Sequence, residues 1–409
     1  MKTFSLKALI CLSFICICSS VSFAQSLSDK IVFTRQQSGN DWDLYLMNRD
    51  GSSQQKLIDN SYRDTNPYFN LSGSKIVFGR ITSTMPMAAD VYIVNSNGSG
   101  ELNLTSGSTL TGPALSPKFS PDGSKVVFDI QNTPGNTDIY IINTDGTGLT
   151  GLLTDSNDDS SPHYSPDGQW VVFQRLISTN PNPKSKLCKV KISDGTVVEL
   201  TRGNDLDEMP CWSPDGNYII FKRGANNCNI CRIPYNHDPA SDTDITNLTN
   251  TTNSVNDAPR YSLEGDKIGY MSTHGYNTLD SMEIYIMNAD GTSPQRLTYN
   301  KVADFDPAFT PKSTSTGLYS PFGNSQILLK NTPNPCNGFT TIQYILSETT
   351  SVQVLIYDLK GRLLIYRNEG IKAAGEHSII LNISNLPRGM YECKLTSDEN
   401  KAYYKMIVL

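Results

Sequence analysis

Five stretches of this chain are built to one plan: "NPYFNLSGSKIVF" at 66–78, "SPKFSPDGSKVVF" at 116–128, "SPHYSPDGQWVVF" at 161–173, "MPCWSPDGNYIIF" at 209–221 and "APRYSLEGDKIGY" at 258–270. Their turn glycines, Gly73, Gly123, Gly168, Gly216 and Gly265, stand 45 to 50 residues apart. A period of that length belongs to an array of supersecondary units, each of which buries its faces against its neighbours. Whatever the chain folds into, it must be made of such units.

Each unit reads as four short antiparallel strands. The first precedes the Ser-Pro-Asp-Gly turn, in which proline presets φ, aspartate bonds its own turn backbone and glycine lets the chain reverse. The second is the "VVF" run, apolar on both sides as expected of a strand sandwiched between sheets. The third is the "DIYIIN" run, seen at Asp43, Asp90, Asp138 and Glu283 and, degraded, at Leu187 and Asn229. It ends in Asp-Gly or Asn-Gly, a hairpin signal. The fourth closes on Leu-Thr, as at Asn103, Leu152, Glu199, Asn247 and Arg296, with "KLI" at Lys56. Units of this kind close into a β-propeller. The first unit lacks an opening strand and begins at "DKIVF" (29–33), while a spare opening strand, "DPAFTP" (306–311), follows the last Leu-Thr. Pairing the two completes a sixth blade and hides two sheet edges.

From about Asp29 to Pro311 the array resembles the TolB-type propeller repeats, marked by an aromatic, Ser-Pro-Asp-Gly, a strand and a later Leu-Thr. The resemblance implies an all-β, six-bladed propeller of four-stranded blades, closed by its C-terminal strand. It says little of function, because such blades occur in a periplasmic envelope protein, beside the catalytic domains of some serine peptidases and in other secreted proteins.

The ends of the chain are of a different character. Lys2 and Lys7 precede an apolar run from Ala8 to Ile17, and Ser22-Phe23-Ala24 offers small residues before Gln25, so residues 1–24 read as a secretory signal. Cys16 and Cys18 each follow isoleucine rather than the small residue that lipid attachment needs. No later run reaches the roughly 18 to 20 apolar residues of a membrane helix. A net charge of −6 without clustered Lys and Arg gives no footprint for nucleic acid. Past the signal, six cysteines remain (Cys188, Cys211, Cys228, Cys231, Cys336 and Cys393), and sequence does not choose among their 15 complete pairings. "CNIC" at 228–231 falls on a repeat strand, and Cys188 fills the same slot one repeat earlier, so structural thiols or a disulfide are expected there rather than zinc or redox chemistry.

The propeller is expected over 25–311, and a Gly/Ser/Thr-rich linker over 312–327. Residues 328–409 then alternate in about seven short strands, the pattern of a small Ig-like sandwich. This tail resembles the type A C-terminal sorting domain of the type IX secretion system of Bacteroidetes. The matching residues are Asn334, Pro335, Tyr357, Asp358, Gly361, Arg362, Gly389, Tyr391, Lys405 and Val408; Cys336 departs from the larger apolar residue commoner there. The resemblance implies export through the periplasm, handling by the type IX machinery, and release or display at the outer cell surface.

Catalytic constellations are scarce. The four histidines are scattered: His163 in a repeat strand, His237 and His274 in loops, His377 in the tail. No Gly-x-Ser-x-Gly elbow, His-Glu-x-x-His, phosphate loop or dinucleotide fingerprint occurs. One feature recurs: three residues before the proline of the opening strand stand Asp64, Asp159, Asp207, Asn256 and Asp304, with Ala114 the exception. Placed at the inner ends of the blades, these side chains are candidates for a rim at the channel mouth. There they either cap backbone N–H groups or, with hard oxygen ligands converging, hold calcium or a basic peptide. No other cofactor is expected. The leading expectation is a non-enzymatic binding or scaffold propeller for a protein, peptide or glycan. The alternatives are a TolB-like envelope partner and a propeller enzyme acting on polysaccharide or peptide.

Overall fold

The computed structural model describes residues 29–311 and 328–408, apart from short stretches at 38–40, 86, 108–111, 134–135, 180–181, 242, 275–281, 347–348, 359–360, 374 and 398–400. The expected signal (1–24) and linker (312–327) lie outside the described residues. All regular structure among the described residues is β, and no helix there is long and apolar enough to cross a membrane.

The first unit begins with β1 (Lys30–Gln36), β2 (Trp42–Asn48) and β3 (Gln55–Lys56). The second is β4 (Arg63–Phe69), β5 (Lys75–Thr84), β6 (Met87–Asn95) and β7 (Leu102–Asn103). The third is β8 (Ala114–Phe119), β9 (Lys125–Thr133), β10 (Asn136–Asn143) and β11 (Thr150–Leu153), and the fourth is β12 (Asp159–Tyr164), β13 (Trp170–Ser178), β14 (Lys184–Lys191) and β15 (Val197–Glu199). Strands β16 (Asp207–Trp212), β17 (Tyr218–Arg223), β18 (Asn229–Pro234) and β19 (Thr246–Asn247) make the fifth. The sixth is β20 (Asn256–Tyr261), β21 (Lys267–Ser272), β22 (Glu283–Asn288) and β23 (Gln295–Arg296). The spare strand, β24 (Asp304–Phe309), pairs antiparallel with β1, Ile31 opposite Phe309 and Arg35 opposite Asp304. Sixth and first units then share one apolar cluster, in which Ile31, Phe33 and Met47 meet Met271, Ile284 and Phe309.

The repeated letters have repeated physical jobs. In the turn, Asp122 Oδ1 accepts from Ser124 N at 3.0 Å, Ser120 Oγ donates to the same carboxylate, and Gly123 takes φ 71°. Ser165 with Asp167, and Ser213 with Asp215, repeat the arrangement. The threonine of Leu-Thr ends the outer strand by taking over a backbone donor: Leu187 N donates to Thr201 Oγ1 at 2.9 Å and Ile284 N to Thr298 Oγ1 at 2.9 Å. The hairpin glycine serves twice. Gly51 has φ 85°, and a Cβ there would lie 2.4 Å from the carbonyl oxygen of Leu297 in the neighbouring unit, so only glycine fits both turn and contact.

The phenylalanine ending each "VVF" run (Phe33, Phe78, Phe128, Phe173, Phe221) is fully buried, stabilising by about 2 to 3 kcal/mol apiece. In three units a tyrosine of the third strand lies against it, as Phe78 and Tyr92 do with centroids 5.7 Å apart. Cys188 and Cys231 stand in that tyrosine's register, opposite Phe173 and Phe221.

The tail contains β25 (Leu328–Asn337), β26 (Phe339–Leu346), β27 (Thr350–Asp358), β28 (Leu363–Lys372), β29 (Gly375–Asn382), β30 (Gly389–Thr396) and β31 (Lys401–Val408). β25 pairs with β26 over its first half and then, at Cys336, bridges in parallel to Val408 of β31, passing from one sheet to the other. Ile342, Tyr344 and Leu381 of one sheet pack against Val354, Ile356, Leu395 and Met406 of the other. The sequence markers hold this sandwich together. Asn334 donates to Lys405 O at 2.9 Å and accepts from Ile407 N at 2.8 Å. Asp358 accepts from Arg362 N at 2.9 Å across a turn where Gly361 has φ 78°. Tyr391 Oη donates to Pro387 O, and Gly389 lies opposite Val408. Tyr357 lies opposite Glu392 on the neighbouring strand.

Candidate functional site at the propeller axis

The acidic rim residues sit at the start of the inner strands, and each is engaged within its own unit. Asp64, Asp159, Asp207 and Asp304 are buried and stand in register with Arg80, Arg175, Arg223 and Arg35 on the adjoining strand. Each pair is bidentate, with Nε to Oδ1 at 2.7 Å in all four. The guanidinium also lies over the buried phenylalanine of the unit, 5.1 to 5.6 Å from the centroids of Phe33, Phe78, Phe173 and Phe221. Burial pushes these carboxyl groups up, and the arginine bonds pull them back. Asn256 substitutes for the acid by accepting from Ser272 Oγ at 2.9 Å. Ala114, the exception in sequence, stands opposite Ile130, an apolar version of the same pair. None of the five rim residues lines the axial cavity.

What faces the axis lies further along the same strands. The residue just before the proline (Asn66, Ser116, Ser161, Met209, Ala258 and Asp306) takes φ between 48° and 54° in all six units. There the register between first and second strands slips. This is a β-bulge, and it lets a proline without an N–H sit in a paired strand. Asn66, Ser116, Ser161 and Met209, with Pro162 and Pro210, wall a small polar cavity, and Lys118 and Arg260 reach it from the residue after the proline. Five inner strands contribute to this lining, which places it on the propeller axis.

The residue after the proline changes from unit to unit: Tyr68, Lys118, His163, Cys211, Arg260 and Ala308. Below the mouth, three of these form a hydrogen-bonded knot. His163 Nδ1 is 2.9 Å from Tyr164 O, an acceptor only, so Nδ1 carries the proton and Nε2 accepts from Tyr68 Oη at 3.1 Å. Cys211 Sγ lies 3.5 Å from the same nitrogen. Burial holds the imidazole neutral, with its pKa down to about 3, and burial pushes the Cys211 thiol up. Lys118 Nζ donates to Pro117 O at 3.0 Å and stands 5.4 Å from the Tyr68 ring centroid. Arg260 Nη1 donates to Pro259 O at 2.8 Å. Asp129 accepts from Ser161 N at 2.8 Å and burial lifts its pKa to about 6; Asp306 accepts from Asn66 N at 3.3 Å.

Sequence reasoning sought convergent carboxylates and passed over this position, although the repeats themselves mark it. Aligned on their prolines, the units keep the turn and the following strand nearly constant and vary the next residue. Elsewhere the candidates stay apart. His237, His274 and His377 do not join the axial group, and no cluster of three or more His, Cys, Asp or Glu able to hold a metal is found among the described residues. All six cysteines among the described residues are buried and free, and burial drives Cys228 to about 11 and Cys231 to about 12. Such thiols are poor nucleophiles.

Comparison with known proteins agrees with this architecture. Residues 103–278 match the family model described as TolB beta propeller domain, and residues 332–409 match that of the secretion system C-terminal sorting domain. Among solved structures, the fold is similar to TolB from Acinetobacter baumannii, with 21% identity and TM-score 0.57 over 69% of this chain and 67% of that one. A putative TolB from Agrobacterium tumefaciens aligns at 17% identity and TM-score 0.51, over 69% of this chain and 93% of the other. Hydrazine synthase of Kuenenia stuttgartiensis shares the fold at 11% identity and TM-score 0.57, covering 94% of this chain and 68% of that one. The sorting domain marks the protein for export by type IX secretion to the cell surface or the extracellular space. The chain thus joins a β-propeller similar to the TolB type to a C-terminal segment that matches the secretion system sorting domain.

Proposed function

We propose that the protein is an exported binding platform, without catalysis of its own, that receives a protein, peptide or glycan at the axial mouth of its propeller. The observation that carries this reading is the contrast within the repeats: six inner strands share one bulge, while the residue after its proline differs from strand to strand, two of them, Lys118 and Arg260, lining the axial cavity. A rigid frame with individually set side chains at one opening is how a scaffold presents a recognition site. On this reading Asp64, Asp159, Asp207, Asn256 and Asp304 fix blade geometry, and no calcium is required.

An enzyme reading has one specific support, the 3.5 Å approach of Cys211 to His163. The pair is buried, the imidazole already accepts from tyrosine, and the thiol is pushed up rather than down, so a thiolate is disfavoured. A TolB-like envelope role shares the propeller, but the sorting domain directs this chain outward.

The test is affinity capture from envelope and medium extracts with the purified protein and with Ser116→Tyr/Ser161→Tyr, which fills the mouth. Both must first be shown to melt cooperatively. A partner retained by the parent and lost by the variant supports the reading. Equal retention moves recognition off the axis, and peptide or polysaccharide turnover abolished by Cys211→Ser would replace binding with catalysis.

A further inference from the structure

We propose that the axial mouth is an oxyanion site, in which Lys118 and Arg260 receive one oxygen of a carboxylate or phosphate group in the water-sized cavity they line with Ser116 and Ser161. The inference deepens the binding-platform reading and rests on its placement of recognition at the mouth.

Lys118 lies on β8 and Arg260 on β20, three units apart in the chain, yet both line the same small cavity. They are 3% and 7% exposed. Buried cations are normally matched by carboxylates, but among the described residues neither has one within ion-pair distance. Each instead donates to backbone carbonyls of its own strand: Lys118 to Pro117 O and, at 3.5 Å, to Ser116 O, Arg260 to Pro259 O. An ammonium has three donors and a guanidinium five, so donors remain for a ligand. The carboxylates whose charge acts on them, Asp306 and Asp129, make no ion pair with either and accept instead from Asn66 N and Ser161 N. An oxyanion would supply the direct acceptors that these two cations lack, beside the through-space charge of Asp306 and Asp129.

Lys118 also provides a signal. Burial, and then the charge of Arg260, bring its pKa to about 7, against the opposing pull of Asp306, Asp129 and Cys211. Of the neighbouring groups, Tyr68 and His163 are neutral at that pH, whereas Asp129, with its pKa at about 6, is charged. At pH 8 most of the Lys118 population is therefore neutral, and an arriving anion draws a proton onto it.

The test is titration calorimetry of the purified protein with sodium phosphate, sodium acetate or sodium chloride at equal ionic strength, at pH 8, in two buffers of different ionisation heat. The expected result is saturable binding of phosphate or acetate with proton uptake, and no saturation with chloride. Phosphate alone saturating identifies a phosphoryl ligand, and acetate alone a carboxylate. Lys118→Met should abolish uptake and weaken binding by about tenfold or more. If that variant fails to fold, the buffer dependence of the parent still decides, and Arg260→Gln carries the same expected loss of affinity. The proposal is overturned if neither anion saturates beyond the chloride response, or if binding and uptake persist in Lys118→Met. Partner capture through the mouth with no anion response would remove the oxyanion site and leave the platform standing. Anion binding lost in Lys118→Met, with no partner captured, would do the reverse.

Discussion

Replacing Arg223 by isoleucine should be far more damaging alone than together with Asp207→Ala. The Asp207 carboxylate is 1% exposed and takes two guanidinium bonds, at 2.7 and 2.8 Å. Stripping its partner leaves a buried charge, which costs about 3 to 5 kcal/mol. Asp207→Ala should cost less, about 1 to 3 kcal/mol for bonds to a charged group, because the Arg223 side chain is 21% exposed and still stacks on Phe221. The double change writes into the fifth unit the pair that the third already has, Ala114 opposite Ile130. It should end within about 1 kcal/mol of the parent, since exchanging a buried ion pair for apolar residues is often neutral. The assay is urea unfolding at pH 7 followed by tryptophan fluorescence. Trp42, Trp170 and Trp212 are all in the propeller, so the tail is silent. The Arg223→Ile penalty should shrink near pH 5: burial already raises the Asp207 pKa, so the folded state gains a proton as pH falls. A double variant as unstable as the two single losses added together would refute this account of the pair.

Three further outcomes follow from the structure. Lys118→Met should stabilise the propeller at pH 6 and lose that advantage toward pH 9. The native pKa, near 7, lies below the unfolded value of 10.5, so parental stability rises with pH between them; the reading is melting temperature against pH. Calcium or a chelator should leave the melting temperature unchanged, because the rim carboxylates are committed to arginine. Asn334→Ala removes two bonds to β31, a loss of about 1 to 2 kcal/mol in the tail, and should shift the protein from medium and surface to the periplasm in cell fractionation.

Much of the fold was legible because each turn announces itself chemically. Ser-Pro-Asp-Gly, Asp-Gly and Leu-Thr each do a local job that sequence alone reveals, and the orphan β1 with the surplus β24 disclosed their pairing. The slot shared by Cys188 and Cys231 was legible too, from the strand pattern. The candidate site was not. Asp64, Asp159 and Asp207 each precede their arginine by 16 residues, but a pairing across a hairpin shows only once register is known. Lys118 and Arg260 were hidden for another reason. Both occupy strand positions in apolar surroundings, where the inward or axial direction of a side chain depends on a bulge that composition does not reveal.

The pairing of β24 with β1 also sets an order of events. Arg35 meets Asp304 across 269 residues of sequence, so a chain entering the periplasm amino end first keeps one edge of β1 open until nearly the whole propeller has arrived. The sorting domain follows β24 in the sequence and arrives after it. The strand that closes the open edge thus precedes the export signal in the chain's passage. A propeller stalled before that point presents an open strand edge and lacks its export signal.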